Sequence, residues 1–321
     1  MQFGFSIPNR GALANANCIR AMAALGERLG YDCVAVPDQV VTPRDYASKY
    51  PYAEDGKLPG SGTGESLENF AVMAFLIGIT NRLKLLSSVI VLPRRPAVLT
   101  AKALATMDVM SDGRLIVGCG AGWFREEFEA LGAPPHEARG RVTDETLEAF
   151  RELWTSDEPW YHGEFVRFEN IIFEPKPVQN PGPPIWVGGE GAAALRRVVK
   201  LGDGWYPIGT NPRHPLDTEP RFRGGVERLK TVSEEYGRDP ATITIAFWAH
   251  RYGLGDPVVS DDGNRRLFTG SADDIKGDIA ALDSLGVGMI VFNFLAPGLS
   301  QNEILERMEI YARDVLELEI D

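Results

Sequence analysis

Short apolar runs alternate with amphipathic runs along the whole chain, and this alternation limits the possible folds more than any other feature. Buried strands are predicted near residues 2–7, 33–40, 83–92, 114–119, 184–188, 204–208, 242–249 and 288–294. Helices are predicted near 15–29, 66–80, 97–110, 141–154, 192–201, 222–236, 272–285 and 301–317. Strict strand–helix alternation predicts an α/β protein with a (β/α)8 TIM barrel, folded as one domain over residues 1–321. A doubly wound open sheet is the alternative, because alternation alone does not show closure.

Two insertions interrupt the alternation. Residues 42–65 follow the second strand, so they belong on the rim where barrel active sites lie, as a lid over substrate or as a solvated loop. This insertion carries Tyr46, Tyr50 and Tyr52, and the glycines Gly56, Gly60, Gly62 and Gly64. Residues 157–183 precede the fifth strand and indicate a hairpin with arms at 162–168 and 171–175. That position predicts a structural role at the opposite end of the barrel.

The charge and cysteine content narrow the classes of partner. A net charge of −12 over 321 residues argues against nucleic acid and anionic membranes, which attract basic surfaces. No apolar run approaches the roughly 18 residues that span a bilayer, and the first eight residues lack the features of a signal peptide. Three cysteines without metal-ligand spacing indicate reduced thiols and a cytoplasmic protein.

Side chains that catalyse reactions without a cofactor are scarce. The chain has four histidines and lacks His-x-His, His-Glu-x-x-His and Gly-x-Ser-x-Gly motifs, so no metal site or nucleophile elbow is predicted. No lysine lies near the end of a predicted strand. Among the histidines, only His250 follows one, either as a catalytic group or as a hydrogen-bonded rim residue. These absences favour a cofactor that supplies the chemistry for a small-molecule substrate.

Glycines mark the exit of the fifth strand. The apolar run ends at Gly188 and Gly189, passes through Glu190 and Gly191, and becomes a helix pattern at Ala192. Glycines let the backbone approach a ligand closely, and a helix start offers unpaired amides to an anion. We therefore predict a phosphate site here; the alternative is a tight turn that binds nothing.

The fourth strand also ends in glycines. Gly118, Gly120 and Gly122 lack the third glycine of a dinucleotide-binding fingerprint, so no Rossmann site is predicted there. They indicate that a ligand or another chain segment presses on the backbone at this exit.

Paired arginines precede two predicted helices. Arg94 and Arg95 follow the third strand, where two cations oppose the dipole of the next helix and an anionic ligand would relieve the repulsion. Arg139 and Arg141 stand similarly before the fourth predicted helix. Each pair is equally compatible with solvation or with ion pairs to the many acids.

Several segments together resemble the luciferase-like monooxygenase superfamily, and within it the branch that uses the deazaflavin coenzyme F420. They are PDQVVTP at 37–43, SSVIVLPRR at 87–95, GCGAGWFREEFEALG at 118–132, FEPKPV at 173–178 and IWVGG at 185–189. The resemblance implies a TIM barrel that holds a flavin or deazaflavin at the strand C-termini. The ring would lie against strands two to four, beside a non-proline cis peptide at Ser88–Val89, with the phosphate at residues 189–192.

The chain departs from this family at two positions. Hydride-transferring relatives often have Asp-His on the second strand, where this chain has Asp38 and Gln39; glutamine orients a carbonyl but does not exchange a proton near neutral pH. Some relatives have a glutamate where this chain has Trp123, and Glu126 and Glu127, a turn further on, indicate only helix-start acids.

The resemblance and these departures together predict an F420-dependent oxidoreductase that delivers hydride to a small organic substrate. Asp38 and Gln39 would form hydrogen bonds near the reacting edge of the cofactor, and Trp123 would form one wall of the substrate pocket. The proton donor would be His250, a tyrosine of the lid or water. Arg94 and Arg95 favour the deazaflavin because its oligoglutamate tail is anionic. The alternatives are an FMN-dependent monooxygenase using O2 and a cofactor-binding protein without turnover. Members of this family are commonly dimers, so the resemblance implies a homodimer.

Overall fold

The computed structural model describes residues 1–53, 55–58, 64–250 and 253–318, and their central feature is a closed parallel barrel. Its strands are β1 (Gln2–Ser6), β2 (Cys33–Val36), β3 (Lys84–Ser87), β4 (Leu115–Gly120), β5 (Ile185–Gly188), β6 (Gly204–Tyr206), β7 (Thr244–Ala249) and β8 (Val287–Phe292). Each strand pairs in parallel with the next, and β8 pairs with β1 through Gln2 and Met289. This last pairing closes the sheet, so the (β/α)8 prediction is confirmed and the open sheet is wrong.

Helices cover the outside of the barrel. They are α1 (Ala16–Arg28), α2 (Asn69–Ile79), α3 (Ala97–Met110), α4 (Arg125–Ala130), α5 (Arg139–Thr155), α6 (Ala192–Leu201), α7 (Glu219–Glu235), α8 (Ala272–Ser284) and α9 (Gln301–Ile310). A π-helical turn at Tyr311–Val315 extends α9. All eight predicted helices are present, and the short α4 is the addition that the periodicity did not indicate.

The strands are buried on both faces, which explains why they appear in the sequence as continuous apolar runs. In β2, Cys33 and Ala35 pack inside the barrel, whereas Val34 and Val36 pack against the helices. Two strands approach closely at Gly118, where a Cβ atom would lie 2.0 Å from the carbonyl oxygen of Ser87. Strand packing, and not a ligand, therefore requires that glycine.

The two insertions differ in their regularity. The described part of residues 42–65 contains neither helix nor strand, and Gly60 and Gly62 lie outside the described residues. In the second insertion, Tyr161–His162 pairs antiparallel with Arg167–Phe168. The predicted second arm at 171–175 is wrong, because the chain turns at Asn170, which has a φ of 53°. Farther along, Gln179 donates to the carbonyl of Leu115, the first residue of β4, as expected for an insertion at the N-terminal end of the barrel.

The cysteines are separate and buried. Cys18, Cys33 and Cys119 are free thiols, and burial raises the pKa of Cys33 and of Cys119 to about 12. These thiols are therefore protonated at neutral pH. Among the described helices, none combines the length and apolar character needed to cross a bilayer.

Candidate functional site

A cavity of about 400 Å³ opens at the carboxyl ends of the barrel strands. Among the predicted site residues, those that line it are Asp38, Gln39, Ser88, Val89, Gly120, Gly122, Trp123, Gly188, Gly189, Glu190 and Gly191. The ones that do not line it are Ala192, Arg94, Arg95 and His250. The barrel thus brings residues from four separate strand exits around one space.

The β5–α6 exit forms one end of this cavity. Gly189 has a φ of 110°, a conformation that L side chains rarely adopt, and its carbonyl accepts a hydrogen bond from the Trp205 indole at 2.9 Å. Gly191 is the N-cap of α6 and provides no side-chain cap. The first amides of α6 therefore have no partner within the helix and can serve an anionic group. Ala193 and Ala194 complete the lining here.

Glu190 fastens this exit to the neighbouring strand. Its side chain accepts hydrogen bonds from the amide of Ile208 at 2.9 Å and from Nδ2 of Asn211 at 2.7 Å. Burial raises the pKa of Glu190, and these two hydrogen bonds oppose that rise only in part. A carboxyl that is readily protonated places less negative charge beside the helix start than an exposed one would.

Two arginines stand beside the same exit and line the cavity. Arg197 is held by Asp144 and donates to the carbonyl of Gly140 at 3.1 Å. Arg139 donates to the carbonyl of His136 at 3.0 Å and forms no ion pair among the described residues. His214 is also close, because a Cβ atom on Gly191 would lie 3.4 Å from its Nε2. Sequence reasoning considered Arg139 and missed Arg197, which reaches the cavity only through the fold, and His214, which lies beside Gly191 but does not line the cavity.

The exits of β3, β4 and β5 share one wall of the cavity. The Ser88–Val89 peptide is cis, as the family resemblance implied. The Val89 side chain fills the space beside two glycines: a Cβ atom on Gly120 would lie 3.1 Å from it and one on Gly188 would lie 3.5 Å from it. Ser88 shares a hydrogen bond of 3.1 Å with the buried hydroxyl of Tyr206, whose pKa burial raises.

Asp38 faces away from the cavity and into an ion cluster. Its side chain is 0% exposed and accepts hydrogen bonds from the amide of Val91 at 2.9 Å, from Arg94 at 2.7 Å and from Arg95 at 2.8 Å. Burial alone would raise the pKa of Asp38, but the two guanidinium groups and the amide lower it. Only the backbone of Asp38 is therefore available to the cavity.

Glu127 supplies the second carboxylate of this cluster. It pairs with Arg94 and accepts the amides of Val40 at 2.9 Å and Val41 at 3.2 Å. Asp38 and Glu127, with the half-exposed Glu68 that pairs with Arg95 at 3.0 Å, thus balance the two guanidinium groups and tie the exits of β2 and β3 to α4. The direct roles predicted for Asp38, Arg94 and Arg95 stay untested, and the charge argument for a deazaflavin loses its basis because these cations are already paired.

Gln39 is the polar side chain that β2 offers to the cavity. It is buried and donates from Nε2 to the carbonyl of Val41 at 2.7 Å. This hydrogen bond fixes the amide, so its oxygen has a defined direction. The arrangement suits orientation of a ligand and not proton transfer.

Aromatic residues wall the outer side of the cavity. Trp123 stacks on Phe124 with ring centroids 4.4 Å apart and meets the edge of Tyr50 at 5.4 Å. Tyr50 also contacts Tyr52 at 5.5 Å, and both tyrosines line the cavity. The described part of the 42–65 insertion therefore covers the site.

Glu126 anchors the covering loop. It accepts the amides of Ala47 at 2.7 Å and Ser48 at 3.1 Å. Burial acts to raise its pKa, but the hydrogen bonds from Ser48 and from these amides lower it to about 2. Glu126 therefore remains ionised and able to hold the loop across the physiological pH range.

A second cavity of about 500 Å³ adjoins the first on the side of β1 and β8. The two share Arg10, Pro37, Tyr50 and Trp248. His250 lines this second cavity; its Nδ1 lies 3.5 Å from Oγ1 of Thr210. Sequence reasoning missed Arg10, although it follows β1 in the same way that Arg94 follows β3.

Metal-ligating side chains do not gather in this region. Across residues 1–53, 55–58, 64–250 and 253–318, no three His, Cys, Asp or Glu side chains form a group that could hold a metal ion. The chemistry of the site is therefore that of amides, arginines and aromatic rings.

Comparisons with known proteins give a consistent result. The sequence profile described as luciferase-like monooxygenase matches residues 1–252. An uncharacterised protein of Mycobacterium tuberculosis is 34% identical over 246 residues, which are 77% of this chain and 79% of that protein. An FMNH2-dependent dimethylsulfone monooxygenase of Pseudomonas putida is 28% identical, covering 81% of this chain and 80% of its own length. An F420-dependent secondary alcohol dehydrogenase shares the fold, with a TM-score of 0.75, 17% identity and 99% of both chains covered.

Proposed function

The chain belongs to the luciferase-like monooxygenase family, and on that premise we propose that it transfers hydride from reduced coenzyme F420 to a polarised double bond of a small organic substrate. The family comprises oxidoreductases and monooxygenases, with F420-dependent and FMN-dependent proteins among the similar ones. What we propose beyond the family is that the cofactor is F420 and that the reaction is a reduction of the substrate.

One observation carries it: a single cavity joins the open start of α6 to the wall formed by Ser88, Val89, Gly120 and Gly188. The amides at the start of α6, with Arg139 and Arg197 beside them, fit a phosphate. Val89, Gly120 and Gly188 leave room for a planar ring because two of the three lack side chains. The residues present thus fit a phosphate-bearing flavin or deazaflavin.

A groove with a small excess of positive charge adjoins the phosphate end and favours the deazaflavin. It has a volume of about 250 Å³, lies between α5 and α6, and shares Ala193 and Arg197 with the main cavity. Arg196 and Lys200 add two further cations, against the carboxylates of Asp144 and Glu148. An anionic oligoglutamate tail can follow this groove, whereas FMN ends at its phosphate.

The side chains of the site position reactants and exclude water. When bound, the reduced deazaflavin would supply the hydride. Gln39 would orient the acceptor bond, and it cannot act as the base that alcohol oxidation requires, so reduction is the expected direction. Trp123 and the lid tyrosines would keep water from the ring. Burial raises the pKa of Tyr52, so its phenol stays protonated and can hydrogen-bond to the substrate, and the proton that reduction requires would come from this weak acid or from water.

Equilibrium binding of F420 and FMN, each oxidised and reduced, to the purified protein tests the proposal. We expect tighter binding of F420, and a roughly tenfold weakening for both cofactors in Arg139→Gln, because a cation beside the phosphate is lost. Arg141→Gln is the matched control, since Arg141 stands two residues away in an exposed ion pair with Glu164. Anaerobic mixing with reduced F420 and a panel of enones, imines and ketones would then show hydride transfer as reappearance of the oxidised chromophore.

An FMN-dependent monooxygenase is the second candidate, and the dimethylsulfone monooxygenase relative is the observation that favours it. It predicts tight binding of reduced FMN, substrate-dependent oxygen consumption and no measurable affinity for F420. Binding of either cofactor without any turnover would instead indicate a cofactor-binding protein.

A further inference from the structure

Two buried hydrogen-bond donors at the boundary of the two cavities have no acceptor. Nη1 of Arg10 and Nε1 of Trp248 are both shielded from solvent and lack a partner among the described residues. Both residues line both cavities. Buried donors are nearly always paired in folded proteins, so two in one place indicate a missing acceptor.

The described residues also provide no counter-ion for Arg10. No carboxylate oxygen of the described residues lies within 4 Å of its guanidinium, in contrast to Arg94 and Arg95, which share Asp38. Burial lowers the pKa of Arg10, and the nearby Tyr50 offsets this only in part. A partly buried guanidinium that has no counter-ion among its described neighbours is stabilised when an anion reaches it.

This pair of donors is distinct from the phosphate end. Arg10 follows β1 and the phosphate cradle follows β5, and these strands stand on opposite sides of the eight-stranded barrel. The cofactor phosphate and the group bound at Arg10 are therefore two different anions, on either side of the wall formed by Ser88, Val89, Gly120 and Gly188.

We infer that the substrate carries a carboxylate or a similarly compact oxyanion, which binds the Arg10 guanidinium and the Trp248 indole N–H. This inference rests on the proposed function, because it takes that wall as the cofactor site. The second cavity is bounded by the apolar residues Ile7, Pro8, Leu13, Leu295, Leu299 and Ile304, and by the polar side chains of Ser6, Asn9, His250 and Asn293. A carboxylic acid with a mainly hydrocarbon body that carries a polar substituent fits both features.

Benzoate and benzamide are suitable probes because they share shape and differ in charge. Calorimetric titration of the F420-loaded protein should show benzoate binding at least tenfold more tightly than benzamide. Arg10→Gln should abolish this preference and leave benzamide binding unchanged. Arg10→Lys should retain part of it, and Trp248→Phe should weaken benzoate binding severalfold because one donor is lost.

Arg141→Gln is the matched control, since Arg141 lies outside both cavities in an exposed ion pair with Glu164, and it should leave F420 binding and the benzoate preference intact. Equal affinity for the two probes in the wild-type protein, or a preference that survives in Arg10→Gln, would overturn the inference. So would a loss of F420 affinity in Arg10→Gln, which would make Arg10 a cofactor ligand. If F420 does not bind at all, the proposed function fails, and the same titrations on the cofactor-free protein still decide the role of Arg10.

Discussion

The arginines after β1 and β3 occupy equivalent places in the barrel, yet their surroundings differ completely. Arg94 has a side chain 2% exposed and contacts two buried carboxylates, and Arg95 contacts Asp38 through both terminal nitrogens. Arg10 has no such partner among the described residues, and one of its nitrogens is buried without an acceptor.

This difference separates a structural charge from a binding charge. A buried ion pair that is complete gives little net stability, whereas removal of one partner is strongly destabilising. Arg94 and Arg95 therefore hold the exits of β2 and β3 and the helix α4 together, and we expect substitution of either arginine to destabilise the protein. Among the described residues no carboxylate offsets the desolvation cost of Arg10, so we expect the same residue type to have the opposite effect on stability.

The largest expected effect is that of Asp38→Asn. An amide cannot replace the charge of Asp38 between Arg94 and Arg95, which then keep only Glu127 and the half-exposed Glu68, so the free energy of unfolding should fall by about 3 kcal/mol, measured by urea denaturation. The control Glu309→Gln breaks the ion pair with Arg28, which is about half exposed, and should cost less than about 1 kcal/mol. Full stability in Asp38→Asn with loss of turnover would instead place Asp38 among the reacting groups.

The pH dependence of stability should differ in sign between two buried carboxyls. The pKa of Asp38 is lowered by its arginines, so its contribution is present above the usual aspartate pKa and is lost as the pH falls through the lowered value. The pKa of Glu190 is raised by burial, so its contribution is present below the usual glutamate pKa and is lost as the pH rises through the raised value.

Denaturation of Asp38→Asn and Glu190→Gln from pH 3 to pH 8 would test these signs. The deficit of Asp38→Asn should shrink in acid, and Glu190→Gln should gain stability relative to the wild type as the pH rises. If the stability of both variants relative to the wild type changed in the same direction with pH, the predicted difference in sign would be wrong.

A smaller effect with the opposite sign is expected for Arg10→Gln. Removal of an unpaired buried cation should leave the free energy of unfolding unchanged or raise it by about 1 kcal/mol. In Arg94→Gln, measured in parallel, the free energy of unfolding should instead fall, by several times about 1 kcal/mol. If both variants are destabilised equally, Arg10 has a structural partner and the comparison fails.

The smallest effect should be that of Glu126→Gln on the loop over the site. The uncharged side chain of this variant should accept weaker hydrogen bonds from the amides of Ala47 and Ser48. The free energy of unfolding should therefore fall by less than about 1 kcal/mol, and the hydrogen-exchange rates of those two amides should rise severalfold. Glu129→Gln is the control, because Glu129 lies exposed on the same helix. Unchanged exchange in Glu126→Gln would show that aromatic contacts alone hold the loop.

Local patterns predicted the elements of the fold to within a few residues in most cases. The α3 and α6 bounds were predicted exactly as observed at 97–110 and 192–201, because the strand exits and the stop at Gly202 mark them in the sequence. The arm at 171–175 was wrong because an apolar alternation does not show whether a partner strand exists. The short α4 was missed because six residues give too little periodicity.

The sequence by itself determined the alternation of strands and helices, the glycines at the β5 exit and the family, because each of these depends on residues that are neighbours in the chain. Only the tertiary structure decided which charges are paired. Arg95 meets Asp38 across 57 residues, and Glu127 meets Val40 across 87. Arginines that look alike in the sequence are distinguished by closure of the barrel, which brings a carboxylate to Arg94 and Arg95 and leaves Arg10 facing a cavity.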